Sequence, residues 1–134
     1  MSIDELYNHY ASGVEAGRLV GGHGRIERDR TQAIIARYLP NQSAVIYDIG
    51  GGAGAYAVWL LQLGHSVHLV DPVPLHVEQA KEAMAQSAVS DWTATLGDAR
   101  SLELGDESAD FVLLLGPLYH LTERDDRVAA LREA

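Results

Sequence analysis

The chain has 134 residues, 47% hydrophobic and 22% charged, which suits one soluble domain with a core of its own. Its formal net charge is −9, from 19 acids against 10 bases, and this argues against a nucleic-acid partner or an anionic membrane surface. Cysteine is absent, so there is no disulfide framework or thiolate metal site, and no apolar stretch approaches the roughly 18 residues that span a bilayer. The opening Met1-Ser2-Ile3-Asp4-Glu5 does not resemble a signal peptide, so a cytoplasmic protein is the expectation.

Ile3, Leu6, Tyr7, Tyr10 and Val14 recur at helical spacing and predict a first helix over residues 3 to 16. Gly21-Gly22-His23-Gly24 reads as a loop. A second helix is expected over residues 25 to 39, with Ile26, Ile34, Ile35 and Leu39 inward and Pro40 at its exit. Val45 to Ile49 reads as a buried strand that breaks into Gly50-Gly51-Gly52-Ala53-Gly54, and a helix follows from Ala55 to Leu63. Ser66 to Pro72 is a second strand closing on Asp71, followed by a helix from Pro74 to Ala88 with proline in its favoured first turn. Trp92 to Leu96 and Asp110 to Leu115 are the third and fourth strands. A last helix is expected from Leu121, with Thr122 as N-cap, and Glu123-Arg124-Asp125-Asp126-Arg127 reads as an exposed face with internal ion pairs. Strands alternating with helices mean an α/β fold with a parallel sheet. The apolar fourth strand calls for cover, either from more of the fold or from a second copy, which makes its edge a candidate homodimer contact.

The glycine turn is the strongest functional signal. Glycines reach positive φ and let a ligand approach bare backbone, and the helix behind them offers unpaired N–H groups. Gly50, Gly52 and Ala55 satisfy the G-x-G-x-x-A dinucleotide fingerprint, with Asp71 roughly 20 residues on. Three details pull away from a nicotinamide cofactor. Asp48 stands two residues before the first glycine, where a negative charge suits a ligand carrying a cation. Gly54 extends the pattern to D-x-G-x-G-x-G. Some forty helical residues precede the first strand, where a dinucleotide domain usually opens.

Asp48-Ile49-Gly50-Gly51-Gly52-Ala53-Gly54 resembles the first motif of class I S-adenosylmethionine-dependent methyltransferases. The resemblance continues through Val70-Asp71-Pro72, Gly97-Asp98-Ala99-Arg100 and the segment from Asp110 to Leu121. That last segment, with the leader Arg28-Asp29-Arg30-Thr31 through Tyr38-Leu39-Pro40, is similar to bacterial small-molecule methyltransferases. Four motifs in order, over nearly the whole chain, carry more weight than any one.

The resemblance implies a Rossmann-like three-layer α/β sandwich with a mainly parallel sheet in the order 3-2-1-4, partial against the family's seven strands. It also implies a helical leader over residues 1–40 and a cofactor domain over 41–134, with the rest of the family fold expected beyond Ala134. The implied cofactor is S-adenosylmethionine, with S-adenosylhomocysteine as product, and the implied acceptor is a small molecule. Gly50, Gly51 and Gly52 would lie against the methionine part, with Asp48 near its ammonium. Asp71 would accept from both ribose hydroxyls. Pro72 and Val73 would flank the adenine, with Asp98 at its amino group and the Ala99 N–H beside a ring nitrogen. Gly116 would border the methyl-transfer site, and Tyr10 and Arg18 of the leader would close over the cofactor.

Each of these residues also has a plainer job. Asp71 would serve as a helix cap, Asp98 as a turn residue and Asp48 as a local acceptor. None of the six histidines shows metal-ligand spacing, so no metal is expected. His120, at the edge of the expected active site, is the one candidate catalytic base, with capping or packing as its alternative. Beside the methyltransferase reading stand a cofactor-binding module without turnover and a nicotinamide-dependent oxidoreductase domain.

Overall fold

The computed structural model describes residues 4, 5, 8, 17 and 19–134. The helix expected over residues 3 to 16, together with Tyr10 and Arg18, lies outside the described residues apart from isolated positions.

Helix α1 runs Gly22–Ala36, three residues earlier than expected at both ends. Gly22 takes φ +55 and starts the helix directly from the glycine cluster, so that cluster is not the loop the sequence suggests. Before Pro40 the last turn tightens: the N–H groups of Arg37 and Tyr38 donate to Ile34 and Ile35, three residues back. Only Ile35 of the expected apolar face is buried; Leu39 is half-buried and Ile26 is 69% exposed. The inward stripe is instead Gly24, Arg28, Thr31, Gln32 and Ile35, which is largely polar.

Four parallel strands follow: β1 (Val45–Ile49), β2 (Ser66–Asp71), β3 (Trp92–Leu96) and β4 (Phe111–Leu113), in the order β3-β2-β1-β4. The expected order therefore holds. Ile46 faces Val67 across β1 and β2, and Leu69 faces Ala94 across β2 and β3. Helices α2 (Ala55–Gln62) and α3 (Pro74–Ala85) pack against this sheet. The core they close contains Ile46, Val67, Leu69, Leu60, Leu61, Val77, Ala80 and Met84. Fully burying a valine, leucine, isoleucine or methionine among them is worth about 1.5–3 kcal/mol each. Gly64, at φ +91, ends the α2 segment in the left-handed conformation that glycine adopts most cheaply.

The fourth strand is shorter than the apolar run suggests. Asp110 fastens its start: its N–H donates to the Val45 carbonyl at 2.8 Å, and its Oδ2 accepts from the Val45 N–H at 2.9 Å. After Leu113 the chain leaves the sheet for a short helix, α4 (Gly116–His120), with Pro117 in its first turn. Helix α5 (Arg124–Glu133) follows, with Glu123 as N-cap and no side-chain cap bond, so Thr122 does not cap it. The charged stretch is also not simply an exposed face. Arg127 donates to the Leu121 and Thr122 carbonyls at 2.9 and 2.6 Å, and Asp126 pairs with Arg100 across the fold. No helix among the described residues is long and apolar enough to cross a membrane.

Candidate cofactor and active site

The carboxyl ends of β1, β2, β3 and β4 open on one side, and every candidate loop gathers there. Gly50, Gly52 and Gly54 all take positive φ, at +71, +60 and +89. Gly50 donates to the Val70 carbonyl at 2.7 Å, which ties the turn to β2. Side chains are excluded here as well. A β-carbon on Gly51 would stand 2.6 Å from Asp48 Oδ2 and 2.6 Å from Leu69 Cδ1. On Gly97 it would meet Val70 Cγ1 at 2.6 Å.

Asp48 lies beneath that turn, 3% exposed. Its Oδ2 has no hydrogen-bond partner among the described residues. Burial, reinforced by the negative charge of Asp71, raises its pKa from 3.8 to about 7. A buried acid left without a partner is costly unless something positive arrives.

Asp71, 4% exposed at the end of β2, is the hub of the site. Its Oδ2 accepts from the Gly52 N–H at 2.9 Å, and its Oδ1 from the Val73 N–H at 3.0 Å. Nδ1 of His76, on the first turn of α3, lies 2.9 Å from the same Oδ1. Asp71 does not cap α3, whose N-cap is Val73 with no side-chain cap bond; its carboxylate closes the turn before the helix instead.

Asp98 sits on the loop after β3. It accepts from the Arg100 N–H at 2.9 Å and grips the Arg100 guanidinium with both oxygens, Nη2 lying 2.7 Å from Oδ2. Those bonds hold the Asp98 carboxyl below its usual range, against the opposing effect of partial burial, and push the guanidinium of Arg100 up. Arg100 reaches on to Asp126 of α5 at 3.1 Å.

Two adjoining cavities share Gly50, Tyr56, Leu115 and Gly116. The larger, of about 630 Å³, is lined by Asp71, Pro72, Val73, His76, Asp98, Ala99 and Arg100 on the sheet side. Glu27 and Thr31 of α1 and Tyr119 and His120 of α4 line it from elsewhere. The smaller, of about 580 Å³, is lined by Asp48, Gly51, Ala53 and Gly54 with Arg28 and Gln32 of α1. Both fall within the usual size of small-ligand sites. His120 packs its ring edge-on to Tyr119 at 5.3 Å.

The structure therefore brings together Asp48, Gly50, Gly51, Gly52, Asp71, Pro72, Asp98, Ala99, Gly116 and His120. Sequence reasoning gave no role to His76, Glu27, Thr31, Arg28 or Gln32. The signal for the last three was present: residues 28, 31 and 32 share one helix face, and polar groups on an inward face mark a site.

Comparison with known proteins agrees with this layout. Residues 46–134 match the methyltransferase domain family. Uncharacterised methyltransferases of Mycobacterium bovis and Mycobacterium tuberculosis are 31% identical over 98 residues, covering 73% of this chain and 38% of their own length. The chain thus spans under half the length of the curated relatives it matches. A solved S-adenosylmethionine-dependent methyltransferase of Methanosarcina mazei superposes with a TM-score of 0.67 at 27% identity, over 75% of this chain and 49% of that one. A Pyrococcus horikoshii protein shares the fold with a TM-score of 0.77 at 20% identity, over 94% of this chain and 58% of its own. With the family's match, the ordered parallel strands and the glycine turn over a buried acid all in agreement, the chain belongs to the methyltransferase domain family.

Proposed function

We propose that this chain is the cofactor-binding part of an S-adenosylmethionine-dependent methyltransferase that acts on a small-molecule acceptor. The observation that carries the reading is the unpartnered Oδ2 of buried Asp48 beneath the glycine turn. A cationic amino-acid group fits there, and a pyrophosphate does not. Arg28 stands on the wall of the same cavity, paired with Asp29 at 3.1 Å, and its remaining N–H groups would serve a ligand carboxylate, so the smaller cavity suits an amino acid. The larger cavity, with Asp71 and Asp98 on its wall, suits an adenosine.

When bound, the cofactor supplies a methyl group on a positively charged sulfur, which leaves as a neutral thioether when an acceptor lone pair displaces it. This chain's residues bind, orient and exclude water. Gly50 and Gly116, common to both cavities, line the junction between them, and the rate of such a reaction comes chiefly from alignment and a dry site. His120, on the wall of the larger cavity, takes the proton that the acceptor loses. The net charge of −9 favours a small acceptor over nucleic acid. The edge of β4, paired only with β1 among the described residues, is the surface through which two copies would join.

Calorimetric titration with S-adenosylmethionine and S-adenosylhomocysteine, with NAD as control, tests the cofactor. Micromolar binding of the adenosyl ligands, weakened in Asp71→Ala, is expected; binding of NAD alone would overturn the reading. Labelled-methyl transfer to a panel of small amines, phenols and nucleic acids tests the acceptor class, and light scattering tests the dimer.

A further inference from the structure

The larger cavity has two sides of different character. Its sheet side carries Asp71 and Asp98, the acids suited to an adenosine. Its other side comes from two helices, with Glu27 and Thr31 on α1 and Tyr119 and His120 on α4. Residues 27 and 31 stand one turn apart on α1, and residues 28 and 32, one step further round the helix, line the smaller cavity. Helix α1 therefore spans both cavities, and a molecule entering the larger one beside the cofactor meets Glu27 and Thr31.

The charge on this wall is of one sign once internal pairs are set aside. Among the described residues, Arg100 is the one arginine or lysine that lines the larger cavity. Its guanidinium is committed to Asp98 at 2.7 Å and to Asp126 at 3.1 Å. Glu27 and Asp71 remain, so an acceptor bearing a carboxylate or a phosphate meets repulsion and a cation meets attraction. Tyr119 is a second, independent observation. It lines the same cavity while 86% exposed, and its ring is set edge-on against His120 at 5.3 Å. A tyrosine so placed offers ring surface to a ligand at the cavity mouth, and the faces of aromatic rings attract cations.

We propose that Glu27 and Tyr119 select an amine as the methyl acceptor, the carboxylate accepting from its N–H and the ring facing its nitrogen. The inference rests on the adenosyl-cofactor reading above and narrows its small-molecule acceptor to one chemical class. The reaction then moves a positive charge without creating one. An ammonium first loses one proton to solvent. The lone pair of the neutral amine forms the new N–C bond as the S–C bond breaks, and that bond's electron pair stays on sulfur, now a neutral thioether. The positive charge passes to nitrogen, where Glu27 answers it, and the proton that nitrogen then sheds goes to His120.

The test is titration of the whole chain, saturated with S-adenosylhomocysteine, with three probes of nearly one shape at neutral pH: phenethylamine, phenethyl alcohol and phenylacetate. Phenethylamine should bind about fivefold tighter than the alcohol, the scale of an exposed ion pair and a cation–ring contact together, and phenylacetate should bind weakest. Glu27→Gln and Tyr119→Leu should each shrink the amine's advantage over the alcohol, and Tyr119→Phe should keep it. That ratio within one variant is insensitive to a general loss of stability, and circular dichroism confirms folding of each. Labelled methyl from S-adenosylmethionine, offered with a mixed panel of small amines, alcohols and carboxylates, should appear on nitrogen; where no label is transferred the binding ratios decide. Label on oxygen would overturn the inference while leaving the cofactor reading intact. So would alcohol or carboxylate binding as tight as the amine's, no binding of any probe, or an advantage unchanged in Glu27→Gln. Failure of the chain to bind S-adenosylhomocysteine at all would overturn both.

Discussion

Pro117 lies directly across the glycine turn from Gly50: a β-carbon on Gly50 would stand 2.5 Å from both Cδ and Cγ of the proline ring. The first turn of α4 is thus seated on bare backbone. The ring cannot swing away as a flexible side chain would, and Gly50 holds φ +71. Gly50→Ala should therefore cost about 2–4 kcal/mol from overlap and backbone strain together. Thermal unfolding should show the loss, and cofactor affinity should fall with it because Gly50 lines both cavities.

The raised pKa of Asp48 makes a prediction with a definite sign. Unfolded, this acid ionises near 3.8; folded and empty, it keeps its proton to about 7. The folded state binds the extra proton between those values, so stability falls as pH rises through that window and levels off above about 7. At 1.36 kcal/mol per pH unit the loss is at most about 4 kcal/mol. Asp48→Asn should flatten the profile of unfolding free energy between about pH 4 and pH 7. Binding of a cationic amino group would ionise Asp48, so wild-type affinity for the cofactor should rise with pH toward 7 and proton release should accompany binding. Calorimetry in two buffers of different ionisation heat measures that proton directly.

Arg100 uses its planar fork on Asp98 and a further N–H on Asp126. Lysine offers a point charge in place of the fork, so Arg100→Lys is not a conservative change here. The pairs are partly exposed, so the expected loss is about 1 kcal/mol, seen as a fall of about 3–5 °C in Tm. The gap between wild type and variant should narrow in high salt.

His120 is expected to serve turnover and not cofactor binding. His120→Gln should lower kcat by about 10²-fold or more for an acceptor that must lose a proton, with S-adenosylhomocysteine affinity nearly unchanged. An acceptor already deprotonated at the assay pH should be spared, and a kcat profile against pH compares the two cases.

Much of the scaffold was legible because its signals are local. Val45 to Ile49 is an apolar run that ends in glycines, and Trp92 to Leu96 has turns at both ends; both strands have the expected bounds. The site's glycines and acids were visible for the same reason. What escaped depends on contacts distant in sequence. Ile26 looked inward by composition, yet the inner stripe of α1 belongs to Arg28, Thr31 and Gln32, because a cavity and not the core lies opposite them. Leu114 and Leu115 read as strand, but Pro117 draws the chain into α4 over the glycine turn. His76 looked like one more histidine until the fold laid its ring against Asp71.

The fastening of β4 at Asp110 has a mechanical consequence. Both bonds to Val45 act at the entrance of a three-residue strand, so its alignment with β1 is set before the strand begins. The opposite end, which runs on into Leu115 and Gly116, is not needed to keep that alignment. The wall common to both cavities is therefore placed by the seating of Pro117 and Gly116 on the glycine turn, and not by the register of the sheet beneath it.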